Sequence, residues 1–394
     1  MTAPTQRLSL QRELSGAVAD LGVLVPIAVA LIVRNELSAT AVLLPAGLLY
    51  VAVALVYRLP VAVQPLKAVG AIAIASGLGA DEIAAAALMI GGIFIALGAT
   101  GLIDHLGRAF PRALIRGVQL TVGLLFLKVA WGLVSDPPSS FESNALAPGW
   151  AVPLGIAVVV LALVFRRKPI ALALVTTGVV VMLVDSGGIP SFGPSALEFP
   201  SLSTATFAAA FTALVIPQLP LTFANSCLAP ADAARSYFGA RASRITPGRL
   251  ALTLGSANVF SGAIAGMPVC HGAGGLTAHY AFGARTGRAP LAMGLTLLAV
   301  AVGFGSGLAV LLTAFPLSIL AGLLATAGLL HIGLLRDLRS AREWSIAVAV
   351  GAIGFSVNLA VALGVGLVLW WLPEFVARIR SGAWASRQSL RSPR

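Results

Sequence analysis

The sequence has little charge and few of the side chains that usually carry out chemistry. Of its 394 residues, 10% are charged and 58% are hydrophobic, and there are two cysteines and four histidines. Soluble domains carry about 25% charged residues, so this composition excludes a soluble protein and predicts a membrane protein with many spans. Cys227 and Cys270 lie in apolar runs without a metal-ligand spacing to any histidine. Neither a metal site nor a disulfide is therefore predicted.

Motifs of enzymes and of nucleotide binding are also missing. The sequence contains no GxxxxGK[ST] loop, no HEXXH or GxSxG motif and no paired aspartates inside a span, so we predict neither an enzyme nor a cofactor. The net charge of +12 comes from short clusters between apolar runs, a pattern typical of membrane topology rather than of nucleic-acid binding. The polar, basic start at 1–12 has no short apolar region before a cleavage site, so we expect no signal peptide.

Apolar runs of roughly 20 residues predict about fourteen helical spans. We expect a cytoplasmic segment at 1–13, seven spans at 14–184, an extracytoplasmic linker at 185–206, seven further spans at 207–372 and a basic cytoplasmic tail at 373–394. The boundary with the weakest signal divides the last two spans. The eleventh and twelfth spans are expected at Leu291–Gly305 and Leu308–Leu330, and the last two share Trp344–Leu372 with a division near Asn358.

Basic residues separate the two sides of this arrangement. All of the 26 lysines and arginines except Arg34, Lys67 and Lys128 fall near a terminus or in alternate loops, whereas the opposite loops carry acidic residues. A miscounted span would mix these two sets. The charge pattern therefore predicts an even number of spans with both termini in the cytoplasm.

The two halves repeat one plan. The third span, Pro60–Ser76, contains the motif PVAVQP. The tenth span, Pro268–Ala281, overlaps the motif GMPVCHGAGG, which begins at Gly266. Proline and glycine therefore interrupt the same span of each half. Because seven is odd, the second half is inverted relative to the first. The predicted fold class is an all-α polytopic protein with a seven-plus-seven inverted repeat and two discontinuous helices. Transporters with this plan hold their substrate near the membrane midplane.

Two half-helices that start at the midplane would present unsatisfied N–H groups and the positive ends of their dipoles to an anion. Pro65 suits the first turn of a half-helix that includes Leu66. At the second break, Gly272, Gly274 and Gly275 would let the backbone approach a ligand closely, and Ala273 between them is a further candidate for substrate binding. The two helix starts are therefore our candidate substrate site.

Lys67 would add a formal positive charge at the first helix start and strengthen hydrogen bonds to an oxyanion. Alternatively, Lys67 extends toward the membrane surface or pairs with Asp20. Asp20, a carboxylate deep in the first span, and His271 are the candidates for carrying a coupling proton or balancing charge. His279, His105 and His331 are expected near loops and are not predicted to bind substrate.

Further polar side chains in the first and broken spans could donate hydrogen bonds to an oxyanion. Each could instead join helices to one another, and the histidine among them could be structural. Taken together, these polar side chains indicate a substrate site more strongly than any one of them does alone, because all of them lie in the first or broken spans of the two halves. The candidates are Gln64, Gln218, Thr222, Asn225 and His271.

Four segments carry a resemblance to a known family. They are ELSGAVADLG (Glu13–Gly22), PVAVQPLKAV (Pro60–Val69), PQLPLTFANS (Pro217–Ser226) and MPVCHGAGGLTAHYAFGAR (Met267–Arg285), the last being the most specific. They resemble the molybdate transporter family, a branch of the sulfate permease superfamily, and the resemblance runs from about Glu13 to Leu372. It implies a core domain of spans one to four and eight to eleven and a gate domain of the remaining spans. It also implies molybdate uptake with sulfate as competitor, and a homodimer. The segment after Leu372 is too short for the STAS domain that sulfate permeases commonly carry.

We therefore expect a secondary transporter that imports molybdate or sulfate by movement of the core against the gate, in a bacterial-type inner membrane and surrounded by lipid. Proton symport is expected, because a dianion entering against a negative-inside potential needs a driving cation. Three alternatives stay open: a transporter of another anion, a nucleobase transporter and an uncoupled anion channel. A nucleobase site would be expected to have a carboxylate near the second break, and the sequence has none between Asp232 and Asp337.

Overall fold

Helices make up most of the first half of the chain, and one short extended segment interrupts them. The computed structural model describes residues 10–17, 21–103, 111–137, 146–165, 170–186 and 191–389. The first elements are α1 (Leu10–Ala17), α2 (Leu21–Arg34), α3 (Ala39–Val56), strand β1 (Gln64–Pro65), α4 (Lys67–Ser76) and α5 (Ala80–Thr100). Gly77 ends α4 with a φ of 63°, a left-handed conformation that glycine adopts without a steric penalty. Three longer helices complete this half: α6 (Arg112–Ser135), α7 (Pro148–Val164) and α8 (Ile170–Asp185).

A long helical segment, Thr204–Arg244, opens the second half. Pro217 and Pro220 lie near its middle. Each lacks the N–H group that would close a helical hydrogen bond, and wider π-helical turns flank the stretch that contains them. In chain order the segment contains α9 (Thr204–Ala210), a π turn (Phe211–Val215), α10 (Ile216–Leu221), a second π turn (Thr222–Leu228), α11 (Ala229–Phe238) and a 3-10 turn (Gly239–Arg244).

The remaining elements include the second break. They are α12 (Pro247–Ala263), strand β2 (Val269–Cys270), α13 (Ala273–Ala281), α14 (Arg288–Leu312), α15 (Leu317–Ile332), a 3-10 turn (Gly333–Asp337), α16 (Ala341–Ser356) and α17 (Leu359–Ser389). Both predicted discontinuous spans are confirmed, because β1 precedes α4 in the first half and β2 precedes α13 in the second. Strands β1 and β2 pair antiparallel, so the two interrupted spans lie together, as one shared substrate site requires, although their pairing as strands was not predicted.

The expected boundary between the eleventh and twelfth spans is wrong. Helix α14 continues through Gly305 to Leu312, and α15 begins at Leu317. Gly305 permits close packing instead of a break, since a Cβ there would lie 2.8 Å from the backbone nitrogen of Ser195. Pro316 marks the real boundary, because a proline disfavours helical conformation in the residue before it.

The boundary expected near Asn358 is confirmed. Helix α16 ends at Ser356 and α17 begins at Leu359, and the Asn358 side chain accepts a hydrogen bond from the Val361 N–H group at 2.8 Å. The segment 373–394, expected as a tail, is helical as far as Ser389.

Among the described residues, six helical segments are long and apolar enough to cross a membrane, and five shorter apolar helices accompany them. The chain is thus a multi-pass helical membrane protein. The six long segments are Ala39–Val56, Ala80–Thr100, Arg112–Ser135, Thr204–Arg244, Arg288–Leu308 and Leu317–Asp337.

Reciprocal glycine contacts relate the two halves. Helix α3 packs along α14, and α12 packs along α5. In the predicted order of spans these pairs are the second span on the eleventh and the ninth on the fourth, which an inverted repeat would exchange. A Cβ on Gly91 of α5 would lie 2.8 Å from the carbonyl oxygen of Gly255 of α12, and one on Gly255 would lie 2.9 Å from the oxygen of Gly91. Gly123 of α6 and Gly328 of α15 have the same relation at 2.7 Å both ways. Small residues at these crossings let the helix backbones touch.

The linker between the halves is hydrogen-bonded to helices from both halves. The Ser195 hydroxyl lies 2.7 Å from the Ser38 hydroxyl just before α3, and the Gly193 N–H group donates to the Gly303 carbonyl of α14 at 2.9 Å. The Ser201 N–H group donates to Asp81 at the start of α5 at 2.9 Å. This side of α3, α5 and α14 is therefore held together by the chain that joins the repeats.

Candidate functional site

The two breaks cross each other where the half-helices begin. Gln64 pairs with Cys270 in the two-stranded sheet, and each lies two residues before the residue that caps its half-helix. The Leu66 N–H group donates to the Pro268 carbonyl at 2.9 Å. Leu66 caps α4 and Gly272 caps α13, both with extended backbone conformation. The pairing thus places equivalent positions of the two repeats side by side.

The Gln64 side chain lies between the two helix starts and is buried. Its carboxamide oxygen accepts a hydrogen bond from the ammonium group of Lys67, the first residue of α4. The same carboxamide packs against Gly272, where a Cβ would collide with it. The start of α4 and the cap of α13 therefore contact one side chain, and the Lys67 charge lies at their junction.

The start of α4 is occupied by the protein itself. The Gln218 carboxamide oxygen accepts hydrogen bonds from the Ala68 N–H group at 2.9 Å and the Val69 N–H group at 3.2 Å. The Gln218 amide nitrogen donates to the Thr222 hydroxyl at 3.0 Å, and that hydroxyl donates to the Gln218 carbonyl at 3.0 Å. Gln218 and Thr222 are both buried. The structure thus uses both as a cap for the first half-helix, and contact of either with a substrate stays a prediction.

The start of α13 is open. The N–H groups of Ala273, Gly274 and Gly275 have no acceptor within the helix, because they belong to its first turn. The structure gives them no other acceptor among the residues it describes. Ala273 is half-buried, Gly274 is exposed, and a Cβ on Gly274 would meet no atom of the described residues within 4 Å. Of the two helix starts, the second has the free donors and the space for a ligand.

His271 is buried, and both of its ring nitrogens are in use. Its Nδ1 lies 3.2 Å from the Ala62 carbonyl and must donate to it. Its Nε2 lies 2.8 Å from the Thr253 hydroxyl, which also lies 2.8 Å from the Tyr57 hydroxyl. This network fastens the second break to α12 and to the end of α3. Proton transfer by His271 stays a prediction.

Other predicted residues lie at or beyond the edge of this arrangement. Pro65 lies in β1, and its carbonyl accepts a weak hydrogen bond from the Cys270 thiol at 3.5 Å. Asn225 is half-buried in the second π turn. Asp20 lies outside the described residues.

Sequence reasoning missed a residue that shapes the second break. Asn258 of α12 is buried; its amide nitrogen donates to the Val269 carbonyl at 2.7 Å, and its carboxamide oxygen accepts from the Val269 N–H group at 2.9 Å. The Asn258 carboxamide thus bonds both backbone groups of Val269, as the backbone of a neighbouring strand would. Its signal was an asparagine in an otherwise apolar span, which resembles an ordinary contact between helices.

Comparison with solved structures identifies the fold. The transmembrane domain of a cyanobacterium bicarbonate transporter, BicA, matches with a TM-score of 0.63 and 19% identity, over 93% of this chain and 98% of that one. Murine Slc26a9, an anion transporter solved in the inward-facing state, matches with a TM-score of 0.68 and 14% identity, over 95% of this chain and 70% of that one. The chain therefore shares its fold with these two anion transporters.

Sequence comparison identifies the family. Molybdate transporter 2 of Arabidopsis thaliana is 29% identical over 410 residues, which cover 92% of this chain and 87% of that protein. A family model described as "Molybdate transporter of MFS superfamily" matches residues 12–126 and 210–330. These two ranges contain both breaks, the Gln218 cap and the open start of α13, so the chain belongs to the molybdate transporter family.

Proposed function

We propose that the protein is a secondary active transporter that imports a tetrahedral oxyanion, molybdate first and sulfate second. The observation that carries this proposal is the open start of α13 beside Lys67 and Gln64, in a chain whose family is that of molybdate transporters. The anion would be bound by the N–H groups of Ala273 and Gly274 and by the Lys67 ammonium.

The donor set suits such an anion. A tetrahedral dianion presents oxygens in four directions and needs several donors and positive charge, but no carboxylate close by. Helix N-termini supply both N–H donors and a partial positive charge. Lys67 adds a full charge and a hydrogen bond that is stronger than a neutral one. Molybdate and sulfate share charge and shape and differ mainly in size, so the width of the space beside Gly274 would set the preference.

Transport would proceed by alternating access. Spans one to four and eight to eleven would form a core that carries the anion, and spans five to seven and twelve to fourteen a gate against which the core moves. Helix α4 of this core packs against α6 of the gate, so the binding site would lie beside the sliding interface. The protein would lie in a bacterial-type inner membrane with both termini cytoplasmic, as a homodimer surrounded by lipid, and would couple uptake to protons.

Uptake into proteoliposomes tests this function. Purified protein is reconstituted, and labelled molybdate uptake is measured with unlabelled sulfate as competitor, against protein-free liposomes. We expect saturable uptake that sulfate inhibits at higher concentration than molybdate. Absence of saturable molybdate uptake would contradict the proposal. Uptake that rises linearly with the molybdate concentration would favour an uncoupled channel. Inhibition by sulfate at a lower concentration than by unlabelled molybdate would make sulfate the preferred substrate of the same site.

A further inference from the structure

His279 is a buried histidine whose ring has no hydrogen-bond partner among the described residues. It lies in the last turn of α13, the half-helix with the open start, and it is fully buried. Neither Nδ1 nor Nε2 contacts a donor or acceptor in the part of the chain that the structure describes. Buried polar side chains nearly always have such a partner, and exceptions often mark a functional site.

The other described histidines differ. His271 uses both ring nitrogens, and the His331 Nδ1 donates to the Ala327 carbonyl at 2.9 Å. A structural histidine is expected to look like these two, with its tautomer fixed by a neighbour. His279 has no such constraint, so either nitrogen is available for a proton.

Titratable and charged groups lie on the elements that pack against α13. The Tyr50 ring of α3 stacks on the imidazole with centroids 6.3 Å apart and planes at 10°. The Glu13 carboxylate of α1 accepts from the Arg285 N–H group at 3.1 Å, in the turn that follows α13. The Arg285 guanidinium lies 3.7 Å from the Tyr280 ring centroid. The remaining titratable or charged side chains on the packed helix α11 are Tyr237, which stacks on Tyr280, and Asp232 and Arg235, which pair with each other at the surface.

We infer that His279 carries a coupling proton, an inference that rests on the proposed anion transport. An imidazolium in the last turn of α13 would lie at the negative end of the helix dipole, where a cation is favoured. The anion would lie at the start of the same helix, six residues away, or about 9 Å along the axis. Each charge therefore stabilises the other, and binding of either ligand raises the affinity for the other by the same factor.

The proton balance of this step is simple. A proton from the outer solution binds one ring nitrogen while the anion occupies the start of α13, and the same N–H bond breaks when the site opens to the cytoplasm. A dianion needs two protons for electroneutral entry. His279 would supply one of these two protons. Asp20, the carboxylate predicted as a carrier of a coupling proton, lies outside the described residues.

Replacement of His279 separates coupling from binding. In proteoliposomes clamped at zero membrane potential, His279→Gln should keep the exchange of internal for external molybdate, which moves no net proton. A gradient of one pH unit is worth about a tenfold accumulation for each coupled proton. We therefore expect accumulation driven by an acidic exterior to fall about tenfold relative to the unmodified protein. His331→Gln, a change at another buried histidine, should leave that accumulation intact.

A second measurement does not depend on how the variant folds. Molybdate added to the unmodified protein in weakly buffered detergent solution between pH 5 and 8 should cause proton uptake. Unchanged accumulation by His279→Gln would overturn the inference, as would a loss of exchange together with accumulation in a stably folded variant. Absence of proton uptake would overturn it as well. Failure of the proposed function is distinct, because the unmodified protein would then exchange no molybdate at all.

Discussion

Removal of the Lys67 charge is the sharpest test of the proposed anion site. Lys67→Met keeps the length of the side chain and deletes its charge. In the structure the ammonium donates to the Gln64 carboxamide, at the point where the starts of α4 and α13 meet. A bound oxyanion beside Gly274 would have this ammonium as its only formally charged partner among the described residues of the site.

The expected effect follows from the strength of one charged hydrogen bond. Such bonds contribute about 1.5–3 kcal/mol net. The dissociation constant for molybdate should therefore rise about 10- to 150-fold in Lys67→Met. The folded protein should not lose stability, because the change removes a cation from the membrane interior, where a charge is costly. Lys67→Arg should restore part of the affinity, since it keeps the charge but differs in shape.

The assay is binding of labelled molybdate to purified protein, with thermal unfolding in the absence of ligand as a check of the fold. Lys128→Met is the matched control: Lys128 also lies in a spanning helix, α6, but its side chain is exposed, and its loss should leave affinity unchanged. An affinity for Lys67→Met within twofold of the unmodified protein would refute the reasoning. Lys67 would then be structural, and the helix ends alone would bind the anion.

Three further changes test the structure around the site. Gly91→Ala should destabilise the protein by about 1–3 kcal/mol through overpacking against α12. Gly92→Ala should not, because a Cβ there would meet no atom of the described residues within 4 Å. Equal unfolding temperatures of the two variants would contradict the glycine contact. Gln218→Ala leaves two buried N–H groups of α4 without an acceptor, at about 1–3 kcal/mol each, so its unfolding temperature should fall, and an unchanged temperature would exclude the cap. Gly272→Ala should displace the Gln64 carboxamide and weaken molybdate binding with little loss of stability; unaltered affinity would show that Gln64 has no part in the site.

The discontinuous spans could be predicted because their signals are local. Proline removes a backbone donor, and glycine tolerates close approach, wherever the chain later runs. The same reasoning misplaced the boundary after Gly305, because a glycine that permits helix packing and one that permits a break look alike in sequence. Pro316, a few residues later, was the decisive signal.

The hydrogen-bond partners could not be predicted, because they depend on helix rotation and on pairing across the repeats. Gln218 was expected to donate to an anion, yet its carboxamide oxygen accepts from two N–H groups of α4. Both sides of an amide can bond, so the residue type fits either role. His279 was set aside because it lies near the end of the predicted tenth span, close to a loop; its burial and its contact with Tyr50 depend on helix packing that the sequence does not reveal.

The caps of the two half-helices show why an inverted repeat need not make a symmetric site. Strict symmetry would give two equivalent helix starts, each with free N–H groups and able to attract an anion. Two dianions so close together would repel each other strongly. Gln218 removes this difficulty, because its neutral oxygen satisfies the start of α4 without adding charge. The start of α13 then keeps its donors for one anion, and Lys67 adds the charge from the first repeat. Each half of the chain thus contributes a different part of a single site, although the same pattern of proline and glycine builds both halves.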